Sequence, residues 1–157
     1  MDCLTFTEID SNAWSDRLLA PLKGARYPLG GSLDLTPRCN LECVHCYIRQ
    51  PAADEAVKAG EMTTDQFTWL IDRMMEAGTL FLLITGGEPM LRPDFDRIYT
   101  HAKRRGMLIS LFTNATLVTP RIADLLAELR PHSIEVTLYG ATAETYEKVT
   151  GVPGSYQ

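Results

Sequence analysis

The sequence predicts an α/β fold made of βα units around a parallel sheet. From residue 32 onward, short apolar runs rich in strand-forming residues alternate with longer segments of helical period. Four such runs predict strands at residues 32–35, 80–85, 108–113 and 134–138. Because the runs are continuous and lack proline, we expect all four strands to be buried, as strands of parallel sheets are.

The clearest predicted helix follows the first strand. Its apolar positions recur at helical spacing and share one face: Phe67, Leu70, Ile71, Met74 and Met75. Thr63 and Gln66 have the spacing of a capping box at the start of this helix, and Gly78 supplies a stop at its end.

Three further helices follow the other strands. One is predicted at about residues 93–105, another begins with Thr119 as the cap and Pro120 in the first turn, and the last spans about 142–151. A helix at residues 11–19 precedes the first strand. The pattern therefore contains four βα units, with residues 1–31 as an N-terminal extension and residues 32–157 as the core domain.

Composition is that of an ordinary globular domain, with 45% hydrophobic and 22% charged residues in a chain of 157. The formal net charge of -5 argues against a nucleic-acid partner, which requires clustered Lys and Arg. No apolar run approaches the roughly 20 residues that span a bilayer, and the first ten residues lack the pattern of a signal peptide. We therefore expect a cytoplasmic protein with no membrane partner.

Three of the four cysteines lie within eight residues, and the fourth, Cys3, stands apart. The three begin a segment, residues 36–62, that is too long for an ordinary βα connection of about 2–6 residues. In parallel α/β folds the functional groups lie just past the C-terminal ends of the strands, where these cysteines are expected. Their clustering indicates a metal or catalytic site instead of a disulfide framework.

The spacing of Cys39, Cys43 and Cys46 allows one tight loop to present three thiolates to a cuboidal [4Fe-4S] cluster. Electron carriers of this cluster type use four cysteines, so three ligands leave one iron open to a cofactor or substrate. A zinc site completed by His45 is an alternative, although His45 adjoins Cys46 directly. Another alternative is an electron carrier in which Cys3 is the fourth ligand of a closed cluster.

The cysteine spacing resembles the signature of the radical S-adenosylmethionine superfamily. That resemblance implies a (βα)6 TIM-like barrel, of which this chain supplies four units, and therefore an N-terminal fragment that we expect to be inactive alone. It also implies an enzyme in which the cluster cleaves S-adenosylmethionine to a 5'-deoxyadenosyl radical that abstracts hydrogen. His45 occupies the place of an aromatic residue that packs beside the adenine in this family.

Three turns after the later strands extend the resemblance. Gly86, Gly87 and Glu88 resemble the turn that binds the methionine amino group of S-adenosylmethionine, and a glycine pair permits close approach of a ligand. Asn114 resembles part of a threonine-asparagine-glycine turn, although alanine replaces the glycine. Thr137 stands where relatives carry a serine that contacts the cofactor, and packing in the core is its alternative role.

The segments at residues 35–40, 138–141 and 146–151 look most like members with a C-terminal auxiliary-cluster (SPASM-type) domain, which modify peptides or proteins. The resemblance implies a peptide or protein substrate and a reducing partner such as flavodoxin or ferredoxin. Members of the molybdenum-cofactor and haem-modifying types share these motifs. An iron–sulfur electron carrier and a zinc-stabilised binding module remain as readings from other classes.

Overall fold

A computed structural model describes residues 10–22, 24, 26–48 and 50–156 of the chain. Its main sheet has four parallel strands in the order β1-β4-β5-β6. These are β1 (Gly30–Asp34), β4 (Phe81–Thr85), β5 (Leu108–Thr113) and β6 (Ser133–Val136). The four strands predicted from the sequence are therefore confirmed, with ends that shift by one or two residues.

A helix follows each strand of the main sheet, which confirms the four βα units. These helices are α3 (Thr64–Glu76), α4 (Phe95–Arg104), α5 (Pro120–Glu128) and α6 (Ala143–Thr150). Thr63 and Gln66 form the predicted capping box, and Gly151 ends α6 in the left-handed conformation with φ 71°. This repetition, together with the structural similarities described below, is that of a partial TIM-like (βα)6 barrel.

The long segment after β1 contains regular structure of its own. Two short strands, β2 (Arg38–Cys39) and β3 (Gln50–Pro51), pair in parallel, and helix α2 (Glu55–Ala59) follows them. Cys39 therefore lies on a paired strand. This pairing restrains the start of the loop that carries the cysteines.

The N-terminal helix α1 (Ser11–Leu19) has the bounds that the sequence predicts. It is followed by a 3-10 helix (Ala20–Leu22), and the ring of Trp14 meets the ring of Phe81 edge-on at 6.1 Å. None of the helices in the described ranges is both long and apolar enough to cross a bilayer. The division into an extension at residues 1–31 and a core domain at 32–157 stays a prediction.

The core lies between the sheet and its helices. Strands β4 and β5 are buried at alternate positions, and helices α3, α4 and α5 cover the face to which those side chains point. Its fully enclosed members include Ile71, Leu82, Ile84, Ile98, Ile109 and Leu111. A packed core of this kind holds the ends of the strands rigidly in place.

The two edge strands differ from the prediction that all four strands are buried: within β1 only Leu33 is buried, and β6 differs more. Its side chains are half-buried or exposed, and Ile134, Val136 and Leu138 are 45%, 53% and 72% exposed. The prediction was wrong here because β6 pairs with β5 on one side alone and forms the edge of the sheet. Its apolar composition is that of an interior strand, but among the described residues no strand pairs with its outer side.

Candidate cofactor site

The three clustered cysteines lie on a loop that follows β1 at the C-terminal edge of the parallel sheet. Cys39 and Cys46 are half-buried, Cys43 is buried, and no disulfide links these three described cysteines to one another. The backbone N–H of Cys46 donates to the carbonyl oxygen of Cys43 at 3.0 Å, which closes a tight turn. The sequence therefore places all three thiols on one compact segment, as predicted.

The far end of the chain anchors this loop. The N–H of Glu42 donates to the carbonyl oxygen of Thr150 at 2.8 Å, and the N–H of Val44 donates to that of Val149 at 3.0 Å. Both acceptors belong to the last turn of α6, whose carbonyl groups lack partners within the helix. The cysteine loop thus satisfies the end of α6, and α6 in turn fixes the loop.

A cavity of about 260 Å³ opens between the cysteine loop and the ends of the strands. Eight of the nine residues predicted to bind a cofactor or metal line it: Cys39, Cys43, Cys46, His45, Gly86, Gly87, Asn114 and Thr137. The structure thus brings together side chains that lie up to 98 positions apart in the sequence. Their contact with a cofactor stays a prediction.

Burial raises the pKa of the Cys39 thiol, whereas N–H groups of Leu41 and Asn114 act in the opposite direction. Burial also raises the pKa of Cys43, and the hydroxyl of Tyr139 opposes that shift. Cysteine side chains bind iron as thiolates, and hydrogen-bond donors stabilise this charged form. The sulfur atoms therefore lie in partly shielded surroundings, with one donor, Leu41, on the loop itself and two, Asn114 and Tyr139, on the segments that follow β5 and β6.

Within the described part of the chain, no three His, Cys, Asp or Glu side chains converge on a point where one metal ion could bind. A cuboidal cluster has a different requirement, because each of its cysteines binds a separate iron at a separate corner. Three thiols spread around a cavity suit that requirement. The donor set, three sulfur atoms with neither carboxylate nor imidazole required, is the one that iron–sulfur clusters prefer.

The glycine pair approaches the backbone of the cysteine loop. The N–H of Gly87 donates to the carbonyl oxygen of Thr36 at 2.8 Å, and the N–H of Glu88 donates to that of Arg38 at 3.0 Å. A Cβ on Gly87 would lie 2.6 Å from the carbonyl carbon of Arg38 and closer still to its oxygen. The sequence predicts that the glycine pair permits close approach of a ligand; in the structure the pair packs closely against the chain segment that leads into Cys39.

Gly86 is restricted in the same way and also has a positive φ of 131°. Its Cβ would lie 3.3 Å from the backbone nitrogen of Thr36 and overlap the carbonyl oxygen of that residue. Both glycines therefore bring the end of β4 against the start of the cysteine loop. Their other side lines the cavity, where their backbone groups can meet a ligand.

Glu88 is the ninth predicted residue, and its side chain lies outside the cavity lining. The carboxylate is fully buried and accepts hydrogen bonds from the hydroxyl of Thr113 at 2.9 Å, the N–H of Asn114 at 2.8 Å and the N–H of Met90 at 3.0 Å. Burial raises its pKa, and these donors oppose that shift. Its side chain therefore fastens β4 to the end of β5.

Asn114 follows β5 and lies beside Cys39. Its Nδ2 is 3.7 Å from the Cys39 sulfur and 3.0 Å from Oδ1 of Asn40. Its Oδ1 accepts from the N–H and hydroxyl of Thr116 at 2.9 and 2.7 Å. The next residue, Ala115, adopts a positive φ of 62°, so alanine here takes the conformation that glycine would favour.

His45 and Thr137 line the part of the cavity near Tyr139. The rings of His45 and Tyr139 meet edge-on, with centroids 4.8 Å apart. Burial raises the pKa of Tyr139, the neighbouring Cys43 raises it further, and a hydrogen bond with Thr137 opposes the shift. The ring of Tyr139 therefore packs against the ring of His45 on the cysteine loop, and the two rings form one side of the cavity. The sequence did not predict this role for Tyr139.

A buried ionic network, not predicted from the sequence, lies behind the cysteine loop. Glu61 accepts from Nε and Nη2 of Arg38 at 2.7 and 3.2 Å, from Nη1 of Arg92 at 3.2 Å and from the hydroxyl of Thr36. Arg92 also forms a bidentate pair with Asp94 at 2.9 and 2.7 Å. A charged residue in a sequence is usually solvated, so composition and spacing gave no signal for this cluster.

The network controls the ionisation of its members. Burial disfavours the carboxylates of Glu61 and Asp94, but donors from Arg38, Thr36, Arg92 and Thr64 outweigh it, so both pKa values lie below their usual range. The same bond with Glu61 raises the pKa of Arg38. All four charges are thus balanced in place, as a buried network requires.

A parallel sheet with a three-cysteine loop beyond its C-terminal edge is typical of iron–sulfur domains of the βα-barrel class. The family model for the Radical SAM superfamily matches residues 33–157, and the chain belongs to that superfamily. Members of this superfamily use a [4Fe-4S] cluster and S-adenosylmethionine, and these are the cofactors of the family to which the chain belongs. The three sulfur atoms and the glycine backbone in one cavity fit both groups.

Several curated proteins are similar to this chain. An AdoMet-dependent heme synthase of Methanosarcina barkeri is 39% identical over 124 residues, which are 79% of this chain and 35% of that protein. The mycofactocin maturase MftC of Mycobacterium tuberculosis is 33% identical over 134 residues, which are 85% of this chain and 33% of that protein. The chain thus spans about a third of the length of these relatives.

Solved structures show the same fold. SuiB of Streptococcus suis bound to S-adenosylmethionine has a TM-score of 0.68 and 18% identity, and the match covers 99% of this chain and 36% of that one. SuiB bound to the precursor peptide SuiA has a TM-score of 0.70 at 18% identity, with 98% of this chain and 35% of that one covered. These similarities support the partial barrel.

Proposed function

We propose that this chain forms the cluster-binding part of a radical SAM enzyme that abstracts hydrogen from a peptide or protein substrate. Bound together, the [4Fe-4S] cluster and S-adenosylmethionine supply a 5'-deoxyadenosyl radical for that reaction. The observation that carries the proposal is that three cysteines and the glycine pair line one cavity at the C-terminal edge of the sheet. Membership of the superfamily supports an enzyme over an electron carrier or a zinc module.

The residues of the cavity have separate roles in this proposal. Cys39, Cys43 and Cys46 bind three irons and leave the fourth open. The backbone carbonyl groups of Gly86 and Gly87 accept from the amino end of S-adenosylmethionine, since a turn without side chains leaves them accessible, whereas the N–H of Gly87 is already bound to Thr36. These groups orient the cofactor.

Thr137, His45 and Asn114 complete the cofactor pocket. The Thr137 hydroxyl can donate one hydrogen bond and accept another, which suits a ribose or carboxylate. The rings of His45 and Tyr139 form a wall at which an adenine can stack. Glu88 contributes indirectly, because it binds the N–H of Asn114 and the hydroxyl of Thr113 behind the pocket.

The relatives support a peptide or protein as the substrate. SuiB, which shares the fold, has been solved with a precursor peptide, and MftC is a maturase. The reaction would then be an oxidation or another modification of a side chain or backbone carbon. A reducing partner such as flavodoxin or ferredoxin would supply the electron that the cluster needs.

A tetrapyrrole is a second candidate substrate. The heme synthase of M. barkeri shares 39% identity with this chain, more than the 33% of MftC. The two candidates can be separated by adding a precursor peptide or an iron porphyrin to the anaerobic, cluster-loaded protein with S-adenosylmethionine. The true substrate class should raise 5'-deoxyadenosine formation above the rate without substrate, and mass spectrometry should show a modified product.

The cluster itself is tested by anaerobic reconstitution with iron and sulfide. We expect about four irons and four sulfides per chain, since one cuboidal cluster contains four of each. Replacement of Cys39, Cys43 or Cys46 by Ala should abolish this binding. Cys3→Ala is the matched control and should bind normally. Stoichiometric zinc without iron–sulfur absorption would contradict the proposal.

The cofactor is tested by electron paramagnetic resonance of the dithionite-reduced protein. Addition of S-adenosylmethionine should change the spectrum, because the open iron gains two ligands. Thr137→Val should require more S-adenosylmethionine for the same change, whereas Thr137→Ser, which keeps the hydroxyl, should behave as the parent does. If Thr137→Val and Thr137→Ser need the same amount of S-adenosylmethionine, the hydroxyl of Thr137 does not bind the cofactor.

A further inference from the structure

The side-chain amide of Asn114 is held in one orientation. Its Oδ1 accepts two hydrogen bonds from Thr116, one from the N–H at 2.9 Å and one from the hydroxyl at 2.7 Å. A flipped amide would put an NH2 group against the N–H of Thr116, and two donors repel each other. The NH2 group must therefore face the other way.

On that other side lies the sulfur of Cys39. Nδ2 of Asn114 is 3.7 Å from this sulfur, and its second hydrogen is directed to Oδ1 of Asn40 at 3.0 Å. Asn40 in turn donates from its own Nδ2 to the Thr116 hydroxyl at 2.8 Å. The three side chains form a closed ring of hydrogen bonds with one N–H directed at the cysteine.

The backbone at Asn114 is fixed as well. Its N–H donates to the buried carboxylate of Glu88 at 2.8 Å, and the positive φ of Ala115 turns the chain so that Thr116 meets Asn114. The Cys39 sulfur has a second donor in the N–H of Leu41 at 3.4 Å. Two N–H groups from two different segments thus converge on one prospective cluster ligand.

Hydrogen bonds to the sulfur ligands of an iron–sulfur cluster influence its reduction potential. An N–H donor stabilises added negative charge, so it favours the reduced state and raises the potential. We propose that Asn114 is a positioning residue that raises the reduction potential of the cluster through its N–H donor to Cys39. This inference rests on the proposed cluster site at Cys39, Cys43 and Cys46.

The test is a redox titration of the reconstituted full-length protein, followed by electron paramagnetic resonance before S-adenosylmethionine is added. Asn114→Ala removes the donor, so the midpoint potential should shift to a more negative value at unchanged iron content. Asn114→Asp keeps the size and the acceptor for Thr116 but places a carboxylate oxygen near the sulfur. Its shift should be larger in the same direction.

Asn40→Asp is the matched control, since it adds the same charge next to Cys39 although Asn40 donates to Thr116 instead of the sulfur. Its shift should be smaller than that of Asn114→Asp. Equal shifts for the two Asp variants, or an unchanged potential in Asn114→Ala, would overturn the inference. A parent protein that binds no cluster would instead contradict the proposed function.

Loss of iron from the Asn114 variants would still leave a decisive measurement. Thr116→Val leaves Asn114 in place but removes one of the two donors that orient its amide and one acceptor of Asn40. A freer amide spends less time directed at Cys39, so the potential should again become more negative. An unchanged potential in an iron-loaded Thr116→Val protein would overturn the inference.

Discussion

Arg38 and Glu61 form a buried ion pair, with Nε and Oε1 2.7 Å apart and both side chains less than 10% exposed. Arg38 immediately precedes the first cysteine, and Glu61 lies near the end of the long segment that follows β1. The pair therefore joins the two ends of that segment. Arg92, which follows β4, binds the same carboxylate, and so does the hydroxyl of Thr36, which follows β1. The side chain of Glu61 therefore connects the cysteine loop with the ends of β1 and β4.

Glu61→Gln should destabilise the protein severely. Two buried guanidinium groups would lose their shared carboxylate, and removal of one partner from a buried ion pair costs about 3–5 kcal/mol. Urea unfolding would measure the loss. Glu76→Gln is the control, because its pair with Arg73 is half exposed and should be worth less than about 1 kcal/mol. A similar, small loss in both variants would show that the network is not important for stability.

The same substitution should change the response of stability to acid. The pKa of Glu61 lies below its ordinary value of 4.5, so the folded state favours the carboxylate. Its contribution is therefore full at higher pH and is lost as the pH falls from about 4.5 through the lowered value. The difference in unfolding free energy between parent and Glu61→Gln should be largest near neutrality and should shrink in acid. A difference that stays constant from pH 7 to pH 3 would contradict this assignment.

Gly87→Ala should disturb the cysteine loop as well as the glycine turn. The added Cβ would overlap the carbonyl group of Arg38, which is backbone and has little freedom to move. We expect a loss of about 2 kcal/mol or more from overpacking and a lower iron content after reconstitution. Gly30→Ala, whose added Cβ would lie 4.0 Å from the backbone oxygen of Phe81, should be tolerated. Full iron content and parental stability in Gly87→Ala would contradict the packing seen here.

The edge strand β6 should cause the 157-residue chain to self-associate when it is produced alone. Unpaired backbone groups and exposed Ile134, Val136 and Leu138 offer a template for strand pairing. Val136→Lys should increase the monomer fraction in size-exclusion chromatography, since charge on an edge strand opposes pairing. Val118→Lys, at an exposed valine that precedes α5, is the control and should leave association unchanged. A parent chain that is monomeric at high concentration would contradict this prediction.

Local signals in the sequence were sufficient for much of the fold. The capping residues Thr63, Thr119 and Thr142 each accept a hydrogen bond from the helix that they precede. These interactions involve residues three positions apart, so spacing alone reveals them. The residues that line the cavity were predicted from the resemblance to the radical S-adenosylmethionine superfamily, and they lie together because parallel strands end at one edge of the sheet.

Long-range polar contacts were not predictable. Glu61 and Arg38 are 23 positions apart, and Glu88 and Thr113 are 25 apart. Nothing in the sequence near Glu88 indicates whether its carboxylate points to the cavity or to the next strand. The exposure of β6 was missed for a related reason: an apolar strand has the same composition whether or not a neighbour covers it.

The hydrogen bonds from Glu42 and Val44 to the end of α6 impose an order of events during synthesis. The cysteines leave the ribosome long before Thr150 and Val149, the residues that hold their loop. At about 5–20 residues per second, the roughly 100 intervening residues delay that anchorage by roughly 5–20 seconds. Throughout this interval the three thiols lie on a loop without its contacts to α6, so a cluster delivered before α6 has been made would meet cysteines that are not yet anchored.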